Sequence, residues 1–316
     1  MTMRYRTATA AALVIGVGLG SAACGRYSLT ALKAQKAYKD ANNLYRGSDW
    51  KGAAAGYEYV LQLDPSRTEV FFFLGNSYDN AYKPARAGEP QNDAYLTKAI
   101  ENYRKAAEQD KNPEMKKLAL QYLVAAYGAD KLNDPDQAQA VLQQLIQGDP
   151  NETANYFQLS KLYEDSGRYE DAEQALLKAR EIKPNDPSVY TTISGFYNRQ
   201  GEFDKTMESL HKAADLDQNN PQAHQLVATY YYEKASKDVT LRPARKRELA
   251  EKGIEAADRA LALNPSYFEA LSYKNLLYRV MAAVETDRAK QEEWIRKADE
   301  IRNKAIEINK KKAAGT

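Results

Sequence analysis

The side chains that most often carry chemistry are scarce in this chain of 316 residues, which contains two histidines and one cysteine. His211 and His224 have no further histidine or cysteine at metal-site spacing, and a bound metal needs several converging ligands. Acidic pairs such as Glu164 and Asp165 lie in charged segments of helical composition, where carboxylates are usually solvated. The sequence therefore predicts no catalytic, metal-binding or cofactor-binding residue, and no enzyme.

Motifs for nucleotide binding and for hydrolysis are also absent from the sequence. No P-loop, HExxH or GxSxG segment occurs. The glycine-rich run GVGLG lies in an apolar segment near the start of the chain, and not between a strand and a helix. We therefore do not interpret it as a nucleotide site.

The start of the chain predicts a secretory signal peptide. Arg4 and Arg6 precede a stretch of apolar and small residues that carries no charge and ends at Cys24. We predict that residues 1–23, the leader, are removed. A retained membrane anchor is the alternative, but a membrane span needs roughly 20 strongly apolar residues and this stretch is shorter.

The net charge argues against a nucleic-acid partner. The whole chain carries 45 basic and 43 acidic side chains, and the leader contains two arginines and no acid, so the remainder is balanced. Proteins that bind DNA or RNA usually carry a basic surplus that neutralises phosphates. We therefore expect no nucleic acid among the partners.

The rest of the chain shows an internal repeat of 34 residues. The segment YEDSGRYEDAEQALLKAREIKP at 163–184 is followed at 197–218 by YNRQGEFDKTMESLHKAADLDQ, with aromatic, glycine and small residues in matching places. A period of this length is typical of stacked helix-turn-helix repeats. The low glycine and proline content, with abundant alanine, leucine and lysine, favours an all-α chain.

The repeat resembles the tetratricopeptide repeat, which has large residues at positions 4, 7, 11 and 24 and small residues at positions 8, 20 and 27. The repeat at 153–186 matches these positions with Tyr156, Leu159, Ser160, Tyr163, Ala172, Leu176 and Ala179. The resemblance implies a right-handed α-solenoid of about seven repeats, with fourteen helices. Three repeats carry inserts, near 79–97, 232–249 and 279–292; the first indicates a loop and the other two indicate longer helices.

The residues around Cys24 resemble the lipobox of bacterial lipoproteins, in which small residues precede a cysteine that is acylated and becomes the mature N-terminus. The matching segment is LGSAACG. The resemblance implies lipid attachment at Cys24 and an anchored protein of the bacterial cell envelope, in the outer membrane facing the periplasm. The small residues also fit an ordinary signal peptidase, so a plain secreted or periplasmic protein is the alternative.

These resemblances divide the chain into four parts. We predict a signal peptide at 1–23, a tether at 24–33, the repeat array at 34–310 and a polar tail at 311–316. The basic run RPARKR, within the second insert, could contact an anionic lipid or an acidic partner; solvated charge is the alternative.

In the tetratricopeptide family the first helix of each pair lines a concave groove, and positions 2, 5, 9 and 12 face it. Carried onto this sequence, the resemblance predicts a partner-binding stripe formed by Phe72, Asn76, Phe157, Lys161, Thr191, Asn198, Gln225, Thr229 and Tyr232. With a single basic residue, the stripe does not fit the carboxylate clamp of chaperone-binding members. We expect a non-enzymatic scaffold that holds a partner protein or peptide. The alternative is an accessory or catalytic component of an envelope complex with an unrecognised site.

Overall fold

The structure, a computed structural model, describes residues 29–313. Fourteen α-helices occupy this range, which confirms the predicted all-α fold. Their bounds are α1 Leu29–Arg46, α2 Trp50–Leu63, α3 Val70–Ala81, α4 Pro90–Gln109, α5 Pro113–Tyr127, α6 Pro135–Gly148, α7 Thr153–Asp165, α8 Tyr169–Ile182, α9 Pro187–Arg199, α10 Phe203–Leu216, α11 Pro221–Lys237, α12 Pro243–Leu263, α13 Phe268–Val284 and α14 Arg288–Ala313. The predicted leader and Cys24 lie outside the described residues.

The helices form two compact units. Unit 1 ends at Gly148 and contains α1 to α6, and unit 2 begins at Asp149 and contains α7 to α14. Within each unit, each odd-numbered helix packs against the next helix, and each pair packs against the following pair. A solenoid is built in this way, because each repeat buries its apolar face against its neighbours.

Short sequence signals mark the N-termini of several helices that come first in their repeat. Pro113, Pro187 and Pro221 are the first residues of α5, α9 and α11, where the missing N–H of proline costs no hydrogen bond. The preceding Asx side chain accepts a hydrogen bond of 2.9 Å from the backbone N–H two residues further on, in all three helices. These N-caps satisfy a backbone donor that would otherwise lack a partner.

The turns inside two repeats have the same backbone geometry. Gly167 and Gly201 follow α7 and α9 and have φ angles of +73° and +76°. The N–H of each glycine donates a 3.0 Å hydrogen bond to the carbonyl three residues earlier. Positive φ is accessible to glycine without the steric cost that a Cβ adds. The 34-residue period is therefore present in the backbone as well as in the sequence.

Small residues permit close helix packing at the predicted positions. Ala172 and Ala179 are fully buried, as the repeat pattern predicts. At Gly75 on α3, a Cβ would lie 2.9 Å from Cδ1 of Tyr103 and 3.1 Å from the carbonyl oxygen of Ala99, both on α4. Only glycine allows α3 and α4 to pack this closely without displacement of the neighbouring atoms.

The inserts differ from one another, and the first is shorter than predicted. Only residues 82–89 separate α3 from α4, so the prediction of a loop over DNAYKPARAGEPQND was wrong for 79–81 and for 90–93, which are helical. The Asn92 side chain orders this loop, because it accepts a hydrogen bond from Lys83 N at 2.9 Å and donates to the carbonyls of Lys83 and Arg86. The other two inserts lengthen helices, as predicted: α11 and α12 contain 17 and 21 residues, whereas α7 and α8 contain 13 and 14.

The two ends of the described range are helical. Residues 29–33, which we assigned to the tether, belong to α1, and α14 continues to Ala313. Ion pairs between Lys297 and Glu293 and between Arg296 and Glu300 lie along α14, as expected of a terminal helix in contact with solvent. No helix within residues 29–313 has the length and apolar character needed to cross a membrane.

Candidate functional site

The two predicted stripe residues of unit 1 are buried. Phe72 and Asn76 are each 5% exposed. The Phe72 ring packs edge-on against Tyr122 at 5.3 Å, and Asn76 accepts a 2.7 Å hydrogen bond from the Tyr45 hydroxyl and donates to the Tyr103 hydroxyl. Both side chains therefore hold α1, α3, α4 and α5 together, and neither is open to a partner.

In unit 2 the predicted residues differ in exposure. Lys161, Thr191 and Asn198 are exposed, and Thr229 is buried. The remaining residues are half-buried: Phe157, Gln225 and Tyr232. The exposed stripe residues thus lie on α7 and α9, the first helices of two consecutive repeats, and α11 contributes only half-buried and buried ones.

Most polar stripe residues already have partners within their own helix. Lys161 pairs with Asp165, and the Thr191 hydroxyl donates to the carbonyl of Pro187. Gln225 Nε2 donates to Thr229 Oγ1 at 2.6 Å. The Asn198 amide is different, because within the described residues it makes no side-chain hydrogen bond. Its two donors and its acceptor oxygen are available to a ligand.

Asn198 lines a cleft of about 290 Å³, which we call the α9–α11 cleft. Its other lining residues are Gly201, Phe203, Tyr230, Glu233, Lys234, Lys237 and Asp238. Burial raises the pKa of the Tyr230 phenol, so its hydroxyl is protonated at neutral pH and can donate a hydrogen bond. The cleft combines an apolar ring, a phenol and a free amide.

An ion pair that the sequence did not predict joins α7 to α9 next to this cleft. Arg199 on α9 donates from Nε at 2.7 Å and from Nη2 at 2.8 Å to the carboxylate of Glu164 on α7. The Glu164 carboxylate raises the pKa of Arg199, which remains charged. The residues are 35 positions apart, so no helix-spacing rule could have connected them. The sequence offered one indication of this pair, which is that each residue lies close to stripe residues in one of two consecutive repeats.

Tyr232 lines a second cleft, of about 570 Å³, between α11, α12 and α13. Its ring lies 5.8 Å from the ring of Tyr273, in an edge-on arrangement. We call this the α11–α13 cleft. It exists because the second and third inserts lengthen the helices that surround it. No cluster of His, Cys, Asp and Glu side chains that could hold a metal ion occurs within residues 29–313.

A family comparison agrees with this geometry. Residues 131–194 match the family model of the tetratricopeptide repeat. The chain therefore contains tetratricopeptide repeats. None of the curated proteins matches it in sequence.

Solved structures of tetratricopeptide repeat proteins are similar to this one. The C-terminal part of such a protein from Cytophaga hutchinsonii is 17% identical, covers 86% of this chain and 98% of its own, and has a TM-score of 0.53. YrrB, described as a TPR protein with an unusual peptide-binding site, is 19% identical over 60% of this chain and 92% of its own, with a TM-score of 0.40. MamA from Desulfovibrio magneticus RS-1 is 16% identical over 62% of this chain and 96% of its own, with a TM-score of 0.41. The Cytophaga similarity extends over most of the chain and concerns the fold alone.

The tetratricopeptide pattern accounts for both histidines. At position 4, the hydroxyls of Tyr156 and Tyr190 donate to the carbonyl six residues earlier, and His224 Nε2 contacts the corresponding carbonyl at 3.0 Å. His211 Nε2 contacts the hydroxyl of Tyr231, the position-11 tyrosine of the next repeat, at 2.9 Å. Both imidazoles thus take part in contacts within or between repeats.

Proposed function

We propose that this protein is a non-enzymatic scaffold that binds a partner protein or peptide on the first-helix face of unit 2. Stacked helical repeats present continuous surfaces of this kind, and such surfaces commonly bind extended segments of other proteins. Unit 2 supplies four consecutive first helices, α7, α9, α11 and α13.

The free amide of Asn198 at the α9–α11 cleft is the observation that carries the proposal. An amide can donate to and accept from the backbone of an extended peptide at the same time. The Tyr230 phenol adds a donor next to it, and Phe203 adds an apolar surface for a peptide side chain. Aromatic anchors with a few directional hydrogen bonds are typical of peptide-binding sites.

The charged residues of the cleft are paired with one another. Lys237 contacts Glu233 at 3.1 Å, and Lys234 contacts Asp238 at 3.0 Å. The α9–α11 cleft therefore has little net charge to attract an acidic tail. We infer that amide and aromatic contacts, more than charge, select the peptide here.

Co-purification from detergent-solubilised cell envelopes tests the proposal. The bait is the tagged full-length protein, compared with a double variant that carries Asn198→Ala and Tyr230→Phe. The matched control carries Asn303→Ala and Tyr169→Phe, an exposed asparagine on α14 and an exposed tyrosine on α8. We expect one or a few proteins to be recovered with the wild type and the control, and at least tenfold less with the cleft variant. Equal recovery with all three baits would remove the α9–α11 cleft from the binding site.

The proposal includes a location in the bacterial cell envelope. We infer that a lipid on Cys24 anchors the protein, because LGSAACG resembles a lipobox and the chain has no other cysteine. Cys24 precedes Leu29, the first described residue of α1, by five residues. A single acyl chain binds membranes only weakly, so stable anchoring requires the several chains that lipoprotein maturation supplies.

A further inference from the structure

The α11–α13 cleft differs from the α9–α11 cleft in that apolar side chains form most of its wall. Leu241, from the loop after α11, and Val280 on α13 pack against the buried core of unit 2 while they line the cleft. The other lining residues are Tyr232, Ala235, Ser236, Pro243, Lys246, Leu276, Arg279, Ala283 and Val284. Val239, two residues before Leu241, is 87% exposed. A concave site lined mainly by apolar side chains with a few polar groups is the usual form of a ligand-binding cleft.

The rim of the cleft carries unneutralised positive charge. Lys246 lies at the rim and makes no ion pair or side-chain hydrogen bond with the described residues. Two nearby acids are paired with other cations: Glu285 contacts Arg247 at 3.0 Å, and Asp299 contacts Arg279 at 2.9 Å. The local charge that remains is therefore basic, and it favours an acidic ligand.

Polar groups at the rim also lack partners. The Tyr232 hydroxyl makes no hydrogen bond within the described part of the chain, although its ring packs on Tyr273. An apolar centre inside a polar rim is the usual arrangement of a protein–protein contact site. The free hydroxyl and the free ammonium of Lys246 can both bind groups on an incoming chain.

We propose that the α11–α13 cleft binds a peptide segment in which aliphatic side chains stand next to aspartate or glutamate. The aliphatic side chains fill the cleft, and the carboxylates contact Lys246 and its basic surroundings. This inference rests on the proposed scaffold function and adds a second site with a different ligand chemistry. The helix extensions then have a specific role, because they create the cleft.

Selection from a phage-displayed library of random 12-residue peptides tests this proposal. The library is selected on immobilised full-length protein and counter-selected on the Ala283→Trp variant, in which an indole at an exposed position occupies the cleft. Ala289→Trp, at an exposed position on α14, is the matched control. We expect the surviving peptides to combine leucine, isoleucine or valine with adjacent aspartate or glutamate.

Fluorescence polarisation with a selected peptide then measures how much the cleft and Lys246 each contribute to affinity. We expect Ala283→Trp and Lys246→Glu each to weaken binding tenfold or more. Ala289→Trp and Lys212→Glu, the latter at an exposed lysine on α10 outside the cleft, should leave it unchanged. The variant with Asn198→Ala and Tyr230→Phe should bind this peptide normally. Failure of the α9–α11 site is therefore distinguishable from failure of the α11–α13 site.

Three results would overturn the proposal. One is that the selection yields no peptide that binds the wild type more tightly than it binds Ala283→Trp. Another is a set of selected peptides without acidic residues, or with affinity that Lys246→Glu does not change. The third is binding to phosphatidylglycerol vesicles that Ala283→Trp abolishes while no peptide is selected, which would assign the cleft to a lipid surface.

Discussion

Arg199 on α9 holds both carboxylate oxygens of Glu164 on α7, at 2.7 and 2.8 Å. The Glu164 side chain is only 9% exposed, so Arg199 compensates most of the cost of burying this carboxylate. The pair joins consecutive first helices beside Asn198, and it thereby sets the distance between two parts of the proposed binding face.

We expect Arg199→Met to lower the free energy of unfolding by about 1 to 3 kcal/mol, because the Glu164 carboxylate, which is 9% exposed, loses a bidentate, charge-assisted partner. Solvent screening of the 52%-exposed guanidinium keeps the loss below that of a fully buried pair. Urea unfolding measures this change. The control is Glu255→Gln, which breaks a solvent-exposed pair with Arg259 and should change stability by less than about 0.5 kcal/mol. Equal effects of both variants would show that the Arg199 pair has no special role.

Overpacking tests the repeat frame at Ala172, which is fully buried. We expect Ala172→Leu to destabilise unit 2 by roughly 1 to 3 kcal/mol, since added carbons at a fully buried position force neighbouring side chains and backbone to shift. Thermal melting measures the loss. Ala154→Leu, at an exposed position on α7, is the control and should melt like the wild type. An unchanged melting temperature for Ala172→Leu would contradict the assignment of this position as a helix crossing.

The partly buried position of His211 predicts that the free energy of unfolding depends on pH. Burial is the main cause that lowers the pKa of His211; Arg259 and Lys252 act in the same direction, and Asp215 and Glu255 oppose it. The unfolded chain therefore binds the proton more readily than the folded chain. Stability is unaffected at high pH and falls as the pH drops below about 6.5, the pKa of an unperturbed histidine.

We expect His211→Gln to lose less thermal stability between pH 7.5 and pH 5.5 than the wild type, because glutamine can contact the Tyr231 hydroxyl and does not titrate. The same pH dependence in wild type and His211→Gln would assign the effect to other groups.

The lipid anchor predicts a difference in detergent phase separation. Wild-type protein should enter the detergent phase, and Cys24→Ser should remain in the aqueous phase because it cannot be acylated. Ser28→Ala, close to Cys24 in sequence, should partition like the wild type. If all of the wild-type protein remained in the aqueous phase, the lipid anchor would be excluded and the secreted alternative would stand.

Truncation of the half-buried stripe aromatics tests the stripe once a partner is known, and Tyr232 also lines the α11–α13 cleft. We expect Phe157→Ala and Tyr232→Ala each to weaken binding about tenfold, or about 1.4 kcal/mol, with Tyr169→Ala as an exposed control on α8. Titration calorimetry measures affinity, and melting curves verify folding. A loss with Tyr232→Ala alone would assign that partner to the α11–α13 cleft, and no loss with either would exclude the stripe.

Local residue patterns predicted the helices well and the exposure of the stripe residues less well. Phe72 and Asn76 occupy the expected register positions, but Tyr122 and Tyr103, from α5 and α4, cover them. A register rule places a side chain on a helix face and contains no information about which later helix packs on that face. The same limit explains why the loop of the first insert was predicted too long, since Asn92 orders it from within α4.

The sequence by itself determined the helical repeat. Turn glycines such as Gly201, helix-starting prolines such as Pro187 and buried alanines such as Ala172 act within one turn or one helix pair, so a 34-residue pattern is enough to specify them. Only the tertiary structure decided which side chains remain available for binding. The pairing of Arg199 with Glu164, the free amide of Asn198 and the α11–α13 cleft all depend on contacts between segments distant in sequence, and burial and hydrogen bonding are properties of those contacts.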